Sequence, residues 1–240
     1  MTTTAALPQL EETVLATQRY LQALTVLPDD RLREPSLLPG WSVAHVVAHL
    51  ALNADGLTGV LHAAATGEVG VMYASQEARD ADIDSAVGLD AGALREATRR
   101  ACAAFEEAAR ALTPAQVDAE FVRTPGAAPW PVARVGGMRR TEVEIHHADL
   151  GTGYAPPDWP DDFALALVKR RQEELADQDG GGPSMVLSST DVDGLWKLGE
   201  GQGPTIEGRA ADLAWWLVGR GGGAGLVCSA GPLPTLGRWR

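Results

Sequence analysis

Two pairs of potential metal ligands stand out in the chain. His45 and His49 lie four residues apart, and so do Glu142 and His146. On a helix, four residues advance about 400°, so each pair points to nearly one face, one turn apart. Two such faces converge on one point when their helices oppose each other in a bundle, a known way of building metal sites. Zinc accepts imidazole nitrogen and carboxylate oxygen. A site with three protein ligands leaves a fourth position for water or a thiol, which is the catalytic pattern. The same donor set also suits other divalent ions. Spacing alone leaves open whether His45 or His49 is the ligand, and whether Glu142 or Glu144 is. It also leaves the ordinary alternative that each histidine is a structural residue. His62 has no partner at such spacing and reads as a surface residue. His147 follows His146 and points about 100° away, so it either backs a ligand or is exposed.

All five histidines fall within the first 150 residues, so the elements that position them come from that part of the chain. Apolar positions at Leu10, Val14, Tyr20 or Leu21, Leu24 and Leu27 predict a helix over about 8–27. Pro39-Gly40 is a turn, and Ser42 is a plausible N-cap for a long Ala-, Val- and Leu-rich helix over about 43–65. A third helix is predicted from about Ala91 to Leu112, capped by Asp90 and stopped before Pro114. Residues 118–131 hold Thr124-Pro-Gly and Pro129-Trp-Pro and predict extended structure and turns. A fourth helix is expected over about 133–150, with Gly151 at its C′ position. Four amphipathic helices of this length predict a bundle carrying the metal site, residues 1–153.

The pattern changes after Gly151. A loop or linker over 151–160 leads to a helix at about 161–176, broken by Gly180-Gly-Gly-Pro. Short β-type runs follow at 184–189, 195–198, 205–207 and 226–229, with one helix at 210–218. This predicts a small α+β domain over 154–240, with the boundary near 153–158. The mixed class is therefore a helical bundle followed by an α+β unit. The Gly219-Arg-Gly-Gly-Gly stretch reads as a turn, not as a phosphate loop, because no GxxxxGK[ST] pattern occurs.

Composition limits the partners. Apolar residues make up 45% of the 240-residue chain, enough for a packed core. The formal charge is −12, which argues against a nucleic-acid or anionic-membrane binder. No run of about 18 apolar residues predicts a membrane span. The first residues carry no basic n-region or apolar h-region, and the two cysteines are isolated. These features predict a cytoplasmic protein. Cys102 lies within a helical pattern and Cys228 within an apolar run. Neither has a predicted base, so both read as small buried hydrophobes rather than as nucleophiles. The cationic side is almost all arginine, the residue suited to bidentate carboxylate capture.

The run Leu38-Pro-Gly-Trp-Ser-Val-Ala-His-Val-Val-Ala-His-Leu resembles the start of the second helix of DinB-like metalloproteins. Arg139-Arg-Thr-Glu-Val-Glu-Ile-His-His-Ala-Asp-Leu-Gly resembles the mycothiol-dependent maleylpyruvate isomerase family, as do Asp158-Trp-Pro and Gly208-Arg-Ala-Ala-Asp-Leu-Ala-Trp-Trp-Leu-Val-Gly-Arg. The resemblance spans nearly the whole chain, in the right order. It implies a DinB-like four-helix bundle with zinc, or another divalent metal, on His49, Glu142 and His146. His45 then becomes a neighbour. It implies an active-site arginine at Arg220, and the family-like segment Met72-Tyr-Ala-Ser-Gln-Glu-Ala-Arg adds Arg79. The alternative for Arg79 is a solvated ion pair. Trp41 and Trp130 either line a pocket or simply pack.

The implied activity is a mycothiol-dependent cis–trans isomerisation of maleylpyruvate to fumarylpyruvate, a step of gentisate-type aromatic degradation. A metal-held thiol is deprotonated and adds to the conjugated double bond. The bond turns while single, and expulsion of the thiolate leaves the trans isomer. Partners are thus a low-molecular-weight thiol and a small dicarboxylate, one carboxylate of which Arg220 compensates in an acidic protein. Other readings of the same scaffold are a mycothiol-dependent zinc thiol transferase, a zinc hydrolase using bound water, and a non-enzymatic small-molecule-binding protein.

Overall fold

The structure is a computed structural model and describes residues 6–177 and 182–236. The chain divides into two compact units, Met1–Tyr154 and Ala155–Arg240.

The first unit is built on helices α1 (Leu10–Val26), α2 (Val43–Thr66), α3 (Gln76–Val87), α4 (Ala91–Ala111) and α5 (Val135–Asp149). α2 is the central one and packs against α3, α4 and α5, while α1 lies on α5 and α4. Its sequence explains that place. Asp55 is its one acid or basic side chain besides the histidines, and fifteen of its residues are buried, around the whole circumference. Ser42 caps α2 as expected, and the Ser42 side chain accepts from the His45 backbone N–H. Gly67 ends it in the left-handed conformation, φ 81°. Asp90 caps α4 through a bond from Ala93 N–H at 2.9 Å. The amphipathic stripe of α4 buries Leu94, Thr98, Ala101, Cys102, Phe105, Ala108 and Ala109.

Two details differ from the sequence reading. The first unit contains a fifth helix, α3, which the apolar pattern does not announce: only Ile83 of its twelve residues is buried. Local chemistry makes it, since the Ser75 side chain accepts from Ala78 N–H at 3.0 Å. The last helix, expected from about Ala133, begins at Val135 after a single 3-10 turn, Val132–Arg134. Residues 118–131 are extended as expected. β2 (Glu120–Val122) pairs antiparallel with β3 (Pro129–Pro131) and parallel with β1 (Gly70–Val71), a small sheet of order β1-β2-β3.

α1 and α5 approach very closely at Gly136. A Cβ there would lie 2.1 Å from the Pro8 carbonyl oxygen, so only glycine fits. Thr13 Oγ1 donates to the Gly136 carbonyl at 2.9 Å across the same crossing. At the other end of α5, Gly151 has φ 64° and its N–H bonds the Ala148 carbonyl, ending the helix where predicted.

The second unit packs α6 (Asp161–Ala176) against α7 (Ala210–Leu217) and against a four-stranded sheet. The strands are β4 (Met185–Ser189), β5 (Leu195–Leu198), β6 (Thr205–Gly208) and β7 (Val227–Cys228), in the order β5-β4-β6-β7. β4 and β6 are parallel and the other pairs antiparallel. Phe163, Leu167, Leu187, Ile206 and Leu213 are buried in this unit. The mixed class, helical first and α+β second, is as the sequence predicts. Of the predicted Gly180-Gly-Gly-Pro break, Gly180 and Gly181 lie outside the described residues. No helix among the described residues is long and apolar enough to cross a membrane.

Candidate metal centre

α2 presents His49 and α5 presents Glu142 and His146 to one another. The helical spacing of four residues places Glu142 and His146 one turn apart, and the α2–α5 packing brings His49 opposite them. One carboxylate oxygen takes both imidazoles: Glu142 Oε2 lies 2.8 Å from His49 Nε2 and 3.3 Å from His146 Nε2. The imidazole rings are 4.6 Å apart, centroid to centroid, and nearly perpendicular at 83°. One potential ligand atom from each of the three residues lies within 4.8 Å of the other two, close enough to share one cation. His49 and His146 are buried, whereas the Glu142 side chain is 26% exposed.

The donor set fits a divalent ion. His146 Nδ1 lies 2.8 Å from Oδ2 of the fully buried Asp149, and a carboxylate only accepts, so Nδ1 donates. In a neutral ring that leaves the Nε2 lone pair aimed at Glu142 Oε2. Two electron-rich atoms facing each other repel unless a proton or a cation lies between them. The carboxylate–histidine arrangement is also the usual orienting pair behind a metal-bound histidine. Asp149 was not singled out in the sequence, although its position three residues beyond His146, on the same helical face, carries that signal.

The local electrostatics follow from burial and pairing. Burial pushes His49 down to about 4, against the Glu142 hydrogen bond that raises it. Burial also opposes the charged form of His146, but hydrogen bonds to Asp149 and Glu142 outweigh it and raise its pKa. Burial would likewise raise Glu142, but the two imidazoles hold its carboxyl well below the usual range.

Glu144, the other carboxylate left open by spacing, is not in the cluster. Its Oε1 accepts from Arg19 Nη2 at 2.6 Å and its Oε2 from the Tyr154 hydroxyl at 2.5 Å. His45 is also outside. Its Nδ1 accepts from the Ser42 backbone N–H at 3.2 Å, so the ring serves the capping box of α2. His147, for which exposure was one expectation, is buried. Its ring stacks on Tyr154 with centroids 4.0 Å apart and meets Tyr20 edge-on at 5.8 Å. Packing of α1 and residue 154 over that face of α5 is what covers it. His62 is exposed, as expected.

Arg79 reaches the cluster from the first turn of α3. Its Nη2 lies 3.0 Å from His49 Nδ1, while Nη1 pairs with Asp80 Oδ1 at 2.7 Å. It also lines a cavity of about 190 Å³ with Asp55, Gly56, Tyr73 and Asp82. Trp41 stands beside the cluster, its ring 5.8 Å from that of His49 and 6.0 Å from that of His45. Trp130 instead packs on the core, with the Arg134 guanidinium 4.5 Å above its ring. Cys102 is buried and its thiol, pushed up by burial, accepts from Arg139 Nη2 at 3.3 Å. Arg220 belongs to the second unit, where it precedes the 3-10 turn Gly221–Gly223 and its Nη1 donates to the Val218 carbonyl at 2.9 Å.

Comparison with known proteins gives a consistent result. Residues 14–151 match a protein family described as the mycothiol maleylpyruvate isomerase N-terminal domain. A crystal structure of a mycothiol-dependent maleylpyruvate isomerase is 31% identical, covering 96% of this chain and 97% of that one, with a TM-score of 0.88. The structure of a histidine-to-alanine mutant of such an enzyme is 29% identical over the same shares, with a TM-score of 0.87. No curated protein matches the chain.

Proposed function

The chain belongs to the mycothiol maleylpyruvate isomerase family, and from that premise we propose that it isomerises maleylpyruvate to fumarylpyruvate with mycothiol as thiol cofactor. The observation that carries the reading is the cluster of His49, Glu142 and His146, backed by Asp149. These three side chains would hold zinc or another divalent ion. A divalent ion held there would lower the pKa of a bound thiol, the chemistry that a reversible thiol addition to a conjugated double bond requires.

The remaining work falls to side chains. Asp149 keeps the His146 ring in one tautomer and one orientation, so its Nε2 stays available. Glu142 supplies the one negative charge of the set, so with a thiolate also held there a divalent ion would be neutralised, and a dicarboxylate would need arginine beside it. Arg79 offers a permanently charged fork beside the cluster for a substrate carboxylate. Arg220 is assigned a second carboxylate, or the enolate oxygen formed during addition, on the strength of the Gly-Arg motif that resembles the family. In this reading residues 1–153 carry the metal and residues 154–240 contribute Arg220.

The test is a rate measurement on maleylpyruvate, with and without mycothiol, on protein of known metal content. Isomerase activity appears as turnover that requires mycothiol and leaves its concentration unchanged. Stoichiometric loss of thiol would instead mark a transferase, and no turnover at all a binding protein.

A further inference from the structure

We propose that Arg79 competes with the metal for His49, so that metal loading releases Arg79 to bind carboxylate. A guanidinium carries only N–H donors and stays protonated. His49 Nδ1, 3.0 Å from Arg79 Nη2, is therefore the acceptor in that contact. A neutral imidazole has one ring proton, which then sits on Nε2 and is donated to Glu142 Oε2 at 2.8 Å. But Nε2 is the atom that faces Glu142 and His146, the side from which a cation is held.

The two histidines of the cluster are thus prepared in opposite senses. His146 has an acceptor, Asp149, behind it, which fixes the proton on Nδ1 and leaves Nε2 bare. His49 has a donor behind it. A metal bond at His49 Nε2 requires the proton to move to Nδ1, with no net gain or loss of protons. Nδ1–H then points at an N–H of Arg79, and the contact cannot persist. The bidentate-capable head is not left without a place to go. Its Nη1 stays anchored on Asp80, its Cζ lies 5.9 Å from the centroid of the Tyr73 ring, and the side chain already lines the adjacent cavity. Metal at His49 and a carboxylate on Arg79 thereby favour each other, and the coupling is reciprocal.

This inference rests on the metal site proposed above, and the experiment separates the two. Zinc affinity is measured by competition with a chromophoric chelator for the wild type, Arg79→Met and His49→Ala. Arg79→Met is expected to bind zinc about tenfold more tightly than the wild type, having lost one charge-assisted hydrogen bond that opposes loading. Unchanged or weaker zinc binding in Arg79→Met, beside normal binding in the wild type, overturns the competition alone. Absence of zinc binding by the wild type overturns both. A second measurement needs no variant: nitrogen-15 shifts of the His49 ring report its tautomer. The proton is expected on Nε2 without zinc and on Nδ1 with zinc; Nδ1–H in both conditions overturns the proposal. Maleate, used as an unreactive dicarboxylate, is expected to bind more tightly to the zinc-loaded wild type than to the zinc-free protein, and this gain should be smaller in Arg79→Met, where the ion alone attracts the carboxylates; an equal gain in both overturns the coupling.

Discussion

At the scale of single residues, the proposed metal site depends on what stands behind each of its side chains. Asp149 makes the clearest case. It is fully buried and holds His146 Nδ1 at 2.8 Å, so Asp149→Ala removes the group that sets the ring's tautomer. Zinc affinity should fall by about 10–100-fold, the usual effect of losing an orienting partner, as read by chelator competition. His49→Ala deletes a proposed ligand outright and should leave no stoichiometric zinc in purified protein by metal analysis; a full zinc complement would sink the ligand assignment. The two cysteines should differ in reactivity. Cys102 is 4% exposed and its thiol is pushed up by burial beside Arg139, whereas Cys228 is half-buried on a short strand. One thiol equivalent should react with iodoacetamide in the native protein and two in denaturant, counted by mass spectrometry.

At the scale of elements, helix ends and one helix crossing place the His49, Glu142 and His146 side chains. The rise of His49 above the start of α2 is set by the Ser42 cap, to which His45 contributes its ring. Ser42→Ala should cost about 1 kcal/mol in chemical denaturation, the typical loss for a cap. The crossing of α1 over α5 depends on Gly136, because a methyl group there meets the Pro8 carbonyl at 2.1 Å. Gly136→Ala should therefore destabilise by about 1–3 kcal/mol despite the higher helix propensity of alanine. α3 shows the reverse balance. Its composition is polar, yet it delivers Arg79 to His49, and its single buried apolar residue is Ile83.

At the scale of the whole molecule, the residues proposed for the reaction fall in both units. Arg220→Ala should retain zinc, since the cluster lies wholly within the first unit, but lower turnover on maleylpyruvate by at least about a hundredfold if the arginine binds a charged substrate in its transition state. Full activity would remove Arg220 from the mechanism. The helices α1, α2, α4 and α5, the strands of the second unit and the caps at Ser42 and Asp90 were legible in the chain itself, because apolar periodicity and capping chemistry are local properties. So was the pairing of Glu142 with His146, a consequence of helical pitch. α3 was not legible, because one buried side chain makes no pattern. The choice between His45 and His49, or Glu142 and Glu144, could not be made from pitch alone, since both members of each pair suit the same ligand chemistry. Resemblance favoured one of each. The packing of α2 on α5 brings His49 to Glu142, turns His45 to the cap of its own helix, and gives Glu144 to Arg19 and Tyr154. The opposite settings of His146 and His49 belong to tertiary structure in different degrees. Asp149 comes with the helix that carries His146, whereas Arg79 reaches His49 across thirty residues, a distance closed only by the packing of α3 on α2.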